Sequence, residues 1–302
     1  MNKKSLDVGG QAVIEGVMMR APGKFVIAVR REDGNIVVKK KEIQIDNKPL
    51  FKKPIFRGLI ALYNALILGV SALNFSAYHA FGEGSEKVSK KEMLLSLVLG
   101  LGFGIGLFIF LPLLLTDLMK HILSVLKQSF LAYNAVDGII RVIFFILYIY
   151  IISFFKDVRR VFEYHGAEHK AIYTYESGKD LTVENAKNMS RFHPRCGTSF
   201  LLIVMIVSIL IFSLIPKDAH FVIKLLSRIV FIPLIAGLSY EILKLSDKYN
   251  HSSLVQILIK PGLWLQKLTT KEPDESQLEV ALVSLKLALD KDMDNEGLIY
   301  VS

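Results

Sequence analysis

The sequence predicts an α-helical multi-span membrane protein, with about four transmembrane helices, one further interfacial or re-entrant helix and a small cytoplasmic N-terminal β element. Three observations carry that prediction. Apolar residues make up 52% of the chain and are gathered into runs rather than dispersed. Several runs have the length a bilayer demands, and Lys and Arg cluster on one side of them. Val- and Ile-rich strand patterning is confined to the first 50 residues.

Residues 1–50 form the β element. Phe25–Arg31 and Asn35–Ile45 are strand-like, and Glu32-Asp33-Gly34-Asn35 between them is a hairpin signal. Upstream, the paired Gly9 and Gly10 suggest a tight turn. Glu15 lies in an apolar stretch, where it is either exposed on a surface strand or held by a partner, since an unpaired buried carboxylate is costly. Met1–Asp7 is basic, but Val8–Met18 is interrupted by Gly9, Gly10, Gln11 and Glu15, so no cleavable signal peptide is expected.

Residues 51–92 hold Ile55–Phe81, an apolar stretch broken by Arg57, Asn64, Ser71, Asn74, Ser76 and His79. Crossing here would carry either the basic N-terminus or the basic central segment to the far side, so an interfacial or re-entrant helix is expected. Spans one and two fall in residues 93–155. Leu94–Thr116 has 23 uncharged residues, and Ile139–Phe155 carries only Arg141. Gly100, Gly102, Gly104 and Gly106 form two interleaved Gly-x-x-x-Gly pairs, suited to close helix contact rather than to phosphate binding.

Residues 156–198 form a polar segment whose first part can continue span two as helix through Lys170. Spans three and four, in residues 199–245, are Ser199–Ile215 and Phe221–Leu243, the latter carrying Lys224, Arg228 and Glu241. In the tail, 246–302, Trp264 suits an interface anchor. Leu278, Ala281, Leu282, Leu285, Ala288 and Leu289 recur at helical spacing, and Met293–Ser302 reads as a loose end.

Charge sets the expected topology. Residues 1–93 hold 16 Lys/Arg and residues 156–198 hold eight, whereas 117–138 hold only Lys120 and Lys127. The positive-inside bias places both termini and the polar segment in the cytoplasm, in an inner or plasma membrane. The net charge of +9 is explained by anionic headgroups, so the bilayer and no nucleic acid is the expected partner. A single cysteine, Cys196, excludes an intrachain disulfide.

The chemistry concentrates in 156–198. His165 and His169 are four apart, share one face of a helix and can grip one divalent metal ion, zinc being the expected one. Glu168 follows His165 by three, placed to act as general base; His-x-x-Glu-His is the pattern of the inverted zinc peptidases. Glu241 or His193 would complete the metal shell, and Glu15 would join if the N-terminal turn folds over the site. Cys196 is a further candidate, as ligand, structural thiol or nucleophile. Arg191 and Arg195 could hold an anion.

Taken together, Gly9–Arg20 (GGQAVIEGVMMR), Tyr164–Lys170 (YHGAEHK), His193–Ser199 (HPRCGTS) and Pro261–Thr270 (PGLWLQKLTT) resemble the YqhQ-like bacterial integral-membrane proteins. The resemblance covers nearly the whole chain. It implies a multi-span membrane protein and a metal role for His165, Glu168 and His169, and it supplies no substrate.

The function expected is therefore a metal-dependent hydrolase at the cytoplasmic membrane face, acting on a lipid-linked molecule or a membrane-protein segment. The rival is a non-catalytic membrane protein that docks a lipid or partner protein through its polar segment. A transporter fits less well, because Arg228 and Glu241 are the main ionisable residues expected within the spans.

Overall fold

The computed structural model describes residues 8–42, 53–81, 89–216, 218–249, 252–290 and 297–301. Four strands come first: β1 (Gly9–Val13), β2 (Gly16–Ala21), β3 (Lys24–Arg30) and β4 (Ile36–Glu42). They are followed by α1 (Phe56–Ala80) and by α2 (Lys90–Ile105), which runs through a π-helical turn, Gly106–Phe110, into α3 (Leu111–Ile122). Next come α4 (Ser124–Gln128), α5 (Phe130–Ile152), α6 (Lys156–Glu176), α7 (Val183–Lys187) and α8 (Gly197–Phe212). The chain continues through α9 (Phe221–Val230), α10 (Ile232–Lys248), α11 (Ser253–Thr269) and α12 (Glu275–Leu289) to β5 (Gly297–Val301).

The strands form one antiparallel sheet in the order β1-β2-β3-β4-β5. Both of its faces are covered, which is why β3 reads as an unbroken apolar run. Val26 and Ala28 point to a core made with α6 and α12, while Phe25, Ile27 and Val29 point to α1. On α12, Leu278, Ala281, Leu282, Leu285 and Ala288 are buried as their spacing predicts. Asp274 caps this helix in a capping box with Gln277.

Several expectations change. Gly9 and Gly10 lie within β1, and the turn comes at Ile14–Glu15, where Glu15 adopts φ 48°. The hairpin before β4 forms, with Gly34 at φ 87°; the expected strand end at Ile45 lies outside the described residues. Residues 297–301 are not a loose end but pair along β4, Ile36 opposite Val301 and Lys40 opposite Gly297.

On length and composition α1, the α2–α3 rod and α5 are each able to cross a bilayer. The pair α9 and α10, bent by 46°, is a fourth candidate, and α8 is a shorter apolar helix of 16 residues. Pro233 in the first turn of α10 explains the bend, since it cannot donate to the preceding turn and crowds it. Exposed side chains on α2, among them Leu95, Leu99 and Phe103, suit a lipid surroundings better than water.

α1 is one unbroken helix of 25 residues, so the re-entrant reading does not hold. Gly69, Ala72, Phe75, Ser76 and Ala80 in its second half are buried, and Ala72, Phe75 and Ala80 pack on the sheet. The glycines of α2 and of the π-helical turn do not pack as expected: among the described residues, a Cβ on Gly100, Gly102, Gly104 or Gly106 would meet nothing within 4 Å. α5 starts at Phe130, capped by Ser129, nine residues before the expected Ile139. It stops at Ile152, so α6 is a separate helix rather than a continuation of span two.

Candidate metal centre

α6 presents two working faces, and the difference between i+4 and i+3 spacing decides which residues meet. Arg160, Tyr164 and Glu168 look toward β1 and the turn that follows it. Arg160 forms a two-pronged ion pair with Glu15, and Tyr164 Oη donates to Glu15 Oε2 at 3.3 Å. Glu15 thus anchors the N-terminal turn to α6, away from the histidine pair. That anchoring supports its left-handed backbone, which is uncommon for a residue with a Cβ. Glu168 presses against Gly10, where an added Cβ would lie 2.9 Å from Glu168 Cγ and Oε1 and 2.8 Å from Met18 O. Gly10, the second glycine of the sequence motif, therefore makes room for this carboxyl.

The other face carries His165 and His169, with ring centroids 4.5 Å apart. His165 Nδ1 is 2.8 Å from the carbonyl of Thr269, and His169 Nδ1 is 2.5 Å from the carbonyl of Arg191. A carbonyl only accepts, so each Nδ1 must carry the proton. Each neutral ring then offers the lone pair of its Nε2. His165 Nε2 lies 3.2 Å from Cys196 Sγ, and ligand atoms of His165, His169 and Cys196 all fall within 4.8 Å of one another.

Cys196 reaches this point from the start of α8, where its sulfur also accepts from Thr198 N at 3.4 Å. Thr269 arrives because the chain after α11 crosses α6 at Gly166: Lys271 N donates to Phe162 O at 2.8 Å. A Cβ on Gly166 would stand 2.1 Å from Lys271 O. At the other end of α11's packing face, Gly262 gives way to Ser199, its Cβ position 2.6 Å from Ser199 Oγ. Lys170, itself buried, ties the same crossing down through Glu272 and donates to Lys187 O at 2.9 Å.

Two expected metal ligands, His193 and Glu241, and the two expected anion-holding arginines stand elsewhere. His193 is buried, 3.2 Å from Glu176 Oε2, and its backbone is clasped by the Gln266 side chain through two 2.8 Å bonds. Its ring lies 5.7 Å from that of His169, beside the converging atoms rather than among them. Glu241 is engaged by Arg57, with Nε at 2.7 Å from Oε1, and accepts from Ile55 N at 3.3 Å. Arg195 is paired with Glu176, and Arg191 lies 5.0 Å over the Phe192 ring. The two arginines do not form an anion clamp here.

Burial sets the protonation states. It raises the Glu168 carboxyl above its usual range, and His165, His193 and the Gly10 amide pull against that rise. It lowers the His169 imidazole, against the Cys196 contact, so the ring is held neutral as a ligand must be. Two imidazole nitrogens and one thiol, with both rings oriented by backbone carbonyls, form a donor set suited to zinc or a similar divalent ion. The residues present fit such an ion.

The orienting carbonyls of Thr269 and Arg191, and the roles of Gly10 and Gly166, were not legible from spacing. The motifs around them were, because all four lie in or beside segments that stand out in the sequence.

The family described as "Protein of unknown function (DUF1385)" matches residues 53–291. The chain is also similar to the "Uncharacterized protein YqhQ" of Bacillus subtilis (strain 168). The two are 39% identical over 291 residues, which covers 91% of this chain and 90% of that protein. No solved structure matches.

Proposed function

The chain belongs to the DUF1385 family of YqhQ-like proteins, and from that premise we propose a metal-dependent membrane hydrolase working at the cytoplasmic face. The observation that carries the proposal is the paired tautomer: two Nδ1–H groups fixed by carbonyls leave Nε2 of each ring as ligand atom beside the Cys196 sulfur, the three residues' ligand atoms lying within 4.8 Å of one another. His165, His169 and Cys196 would hold the ion, and three protein donors leave a position for substrate, as in catalytic rather than structural zinc sites. The ion would supply Lewis-acid polarisation of a carbonyl or phosphoryl oxygen.

The chain's own groups do the rest. Glu168, expected as the general base, faces Gly10 rather than the converging ligand atoms, so in this reading it holds β1 against α6 and takes no proton from the attacking water. The Thr269 and Arg191 carbonyls keep the imidazoles in the binding tautomer throughout.

The sheet supports the topology. β5 pairs with β4, and α6 and α12 both pack on the same sheet, so an even number of crossings separates each of these elements from the next. Crossings by α2–α3 and α5, then by α8 and α9–α10, satisfy that rule, and a crossing by α1 breaks it. The sheet covers the second half of α1 and leaves Phe56–Leu68, about 20 Å of helix. That is short of the roughly 30 Å hydrocarbon core. We therefore place α1 at the membrane interface. The sheet, the His/Cys group and both termini share the cytoplasmic side, as the basic residues favour.

The 3.2 Å contact between Cys196 Sγ and His165 Nε2 also fits a thiol nucleophile with an imidazole base. Cobalt(II) titration of metal-free protein separates the two. The metal reading predicts a sulfur-to-cobalt charge-transfer band, absent in Cys196→Ser, and protection of Cys196 from iodoacetamide by the ion. Cobalt that neither produces the band nor slows alkylation removes the metal reading and favours the nucleophile.

A further inference from the structure

A second polar centre lies in the half of the helical bundle remote from α6. It is built as two rungs. In the first, Lys224 Nζ is 2.7 Å from Asp117 Oδ2 and 2.9 Å from Tyr133 Oη, which donates to Asp117 Oδ1 at 2.6 Å. One helical turn further along α5 and α9 comes the second. Asp137 Oδ2 accepts from Arg141 Nη2 at 2.8 Å and from Arg228 Nη2 at 2.9 Å. Arg141 Nη1 donates to Ser208 Oγ at 3.2 Å, and both guanidinium groups sit over the Phe212 ring, at 4.8 and 5.3 Å.

The first rung is electrically balanced, one ammonium to one carboxylate. The second is not: two guanidinium groups face a single carboxylate, which leaves a surplus of one positive charge. Side-chain exposures of 7%, 2% and 3% for Arg141, Arg228 and Asp137 put that surplus where water cannot screen it. A buried charge without a counter-ion is strongly unfavourable. The same groups have spare hydrogen-bonding capacity: among the described residues, Arg141 Nε, Arg228 Nε and Arg228 Nη1 have no partner, nor does Asp137 Oδ1. Two forked donors with a surplus positive charge, beside one idle acceptor, describe a receptor for an anion that also carries an O–H.

An opening lies one helical turn from these arginines, at the first rung. A cavity of about 420 Å³, lined by Asp117, Lys120, His121, Lys127, Asp218 and Lys224, opens beside the first rung. Lys224 belongs to both the cavity and the ladder, one helical turn from Arg228. The lysines on the wall outnumber the carboxylates, so an anion is drawn in.

We propose that Arg141 and Arg228 bind a phosphate-type oxyanion of single negative charge. Asp137 Oδ1 would accept its hydroxyl hydrogen. Free dihydrogen phosphate and the phosphodiester of a hydroxyl-bearing lipid headgroup share this chemistry.

The test titrates purified full-length protein in neutral detergent with inorganic phosphate and, separately, with short-chain phosphatidylglycerol; short-chain phosphatidylcholine is the control. Native mass spectrometry and thermal unfolding are the readouts. Saturable binding of one phosphate or one phosphatidylglycerol per chain is expected, weakened about tenfold or more in Arg228→Gln. Which probe binds identifies the source. Arg228→Gln leaves Asp137 and Arg141 a balanced pair, so it is expected to fold; the wild-type titration decides independently. Binding of neither phosphate probe, or equal binding by wild type and Arg228→Gln, overturns the proposal.

Discussion

Glu168 and His169 are adjacent in the chain, and burial acts on their protonation with opposite consequences. The fold disfavours charged His169, so the unfolded chain binds the extra proton. Stability contributed by that ring is therefore lost as pH falls below the ordinary imidazole value of about 6.5. Glu168 is displaced the other way: the fold prefers it protonated, and its contribution is lost as pH rises through its raised value. Denaturant unfolding of the metal-free protein between roughly pH 5 and 9 measures both. His169→Gln should flatten the acid limb and Glu168→Gln the alkaline limb; unchanged limbs in both variants would mean that neither ring nor carboxyl is desolvated as described. None of this was visible in the spacing. His-x-x-Glu-His predicts one shared face, yet the offset of about 100° between i+3 and i+4 turns Glu168 onto Gly10 and leaves Cys196 to join the histidines.

The crossing of α6 by the 270–273 segment depends on one missing side chain. Gly166→Ala would drive a methyl group to 2.1 Å from Lys271 O. The expected cost is about 1–3 kcal/mol of stability, with the Thr269 carbonyl drawn away from His165. A thermal shift together with weakened metal affinity would register both; a neutral Gly166→Ala would show that the crossing is loose. Leu285, fully buried between α12 and the sheet, should cost about 2–5 kcal/mol as Leu285→Ala. α12 was readable in advance because its apolar stripe is regular, and β3 and β4 because Val and Ile flank a hairpin signal. β5 was not, since five isolated residues gain their order from pairing with β4, hundreds of residues away. The true start of α5 was hidden because Asn134 and Asp137 interrupt its apolar run. The i,i+4 spacing of Asp137 and Arg141 was the available clue to the buried ion network.

At the scale of the molecule, the sheet works as a clamp that joins both ends of the chain and carries α6 against it. Single cysteines introduced into a Cys196→Ser background test that arrangement with a membrane-impermeant thiol reagent. Positions Asn35, Asn188 and Glu275, all exposed, should label from one side, and Gln128 and Asp218 from the other. Labelling of Asn35→Cys and Glu275→Cys from opposite sides would contradict the shared side and require an odd number of crossings. The clamp matters because it holds α6, which carries two of the three donors, while Cys196 meets them from the start of α8. Elemental analysis of purified protein addresses that point most directly. The account predicts about one zinc-like ion per chain in wild type, retained in Glu168→Gln and lost in His165→Ala, His169→Ala and Cys196→Ala. Folded wild-type protein that takes up no divalent ion, or variants that keep a full complement, would contradict it.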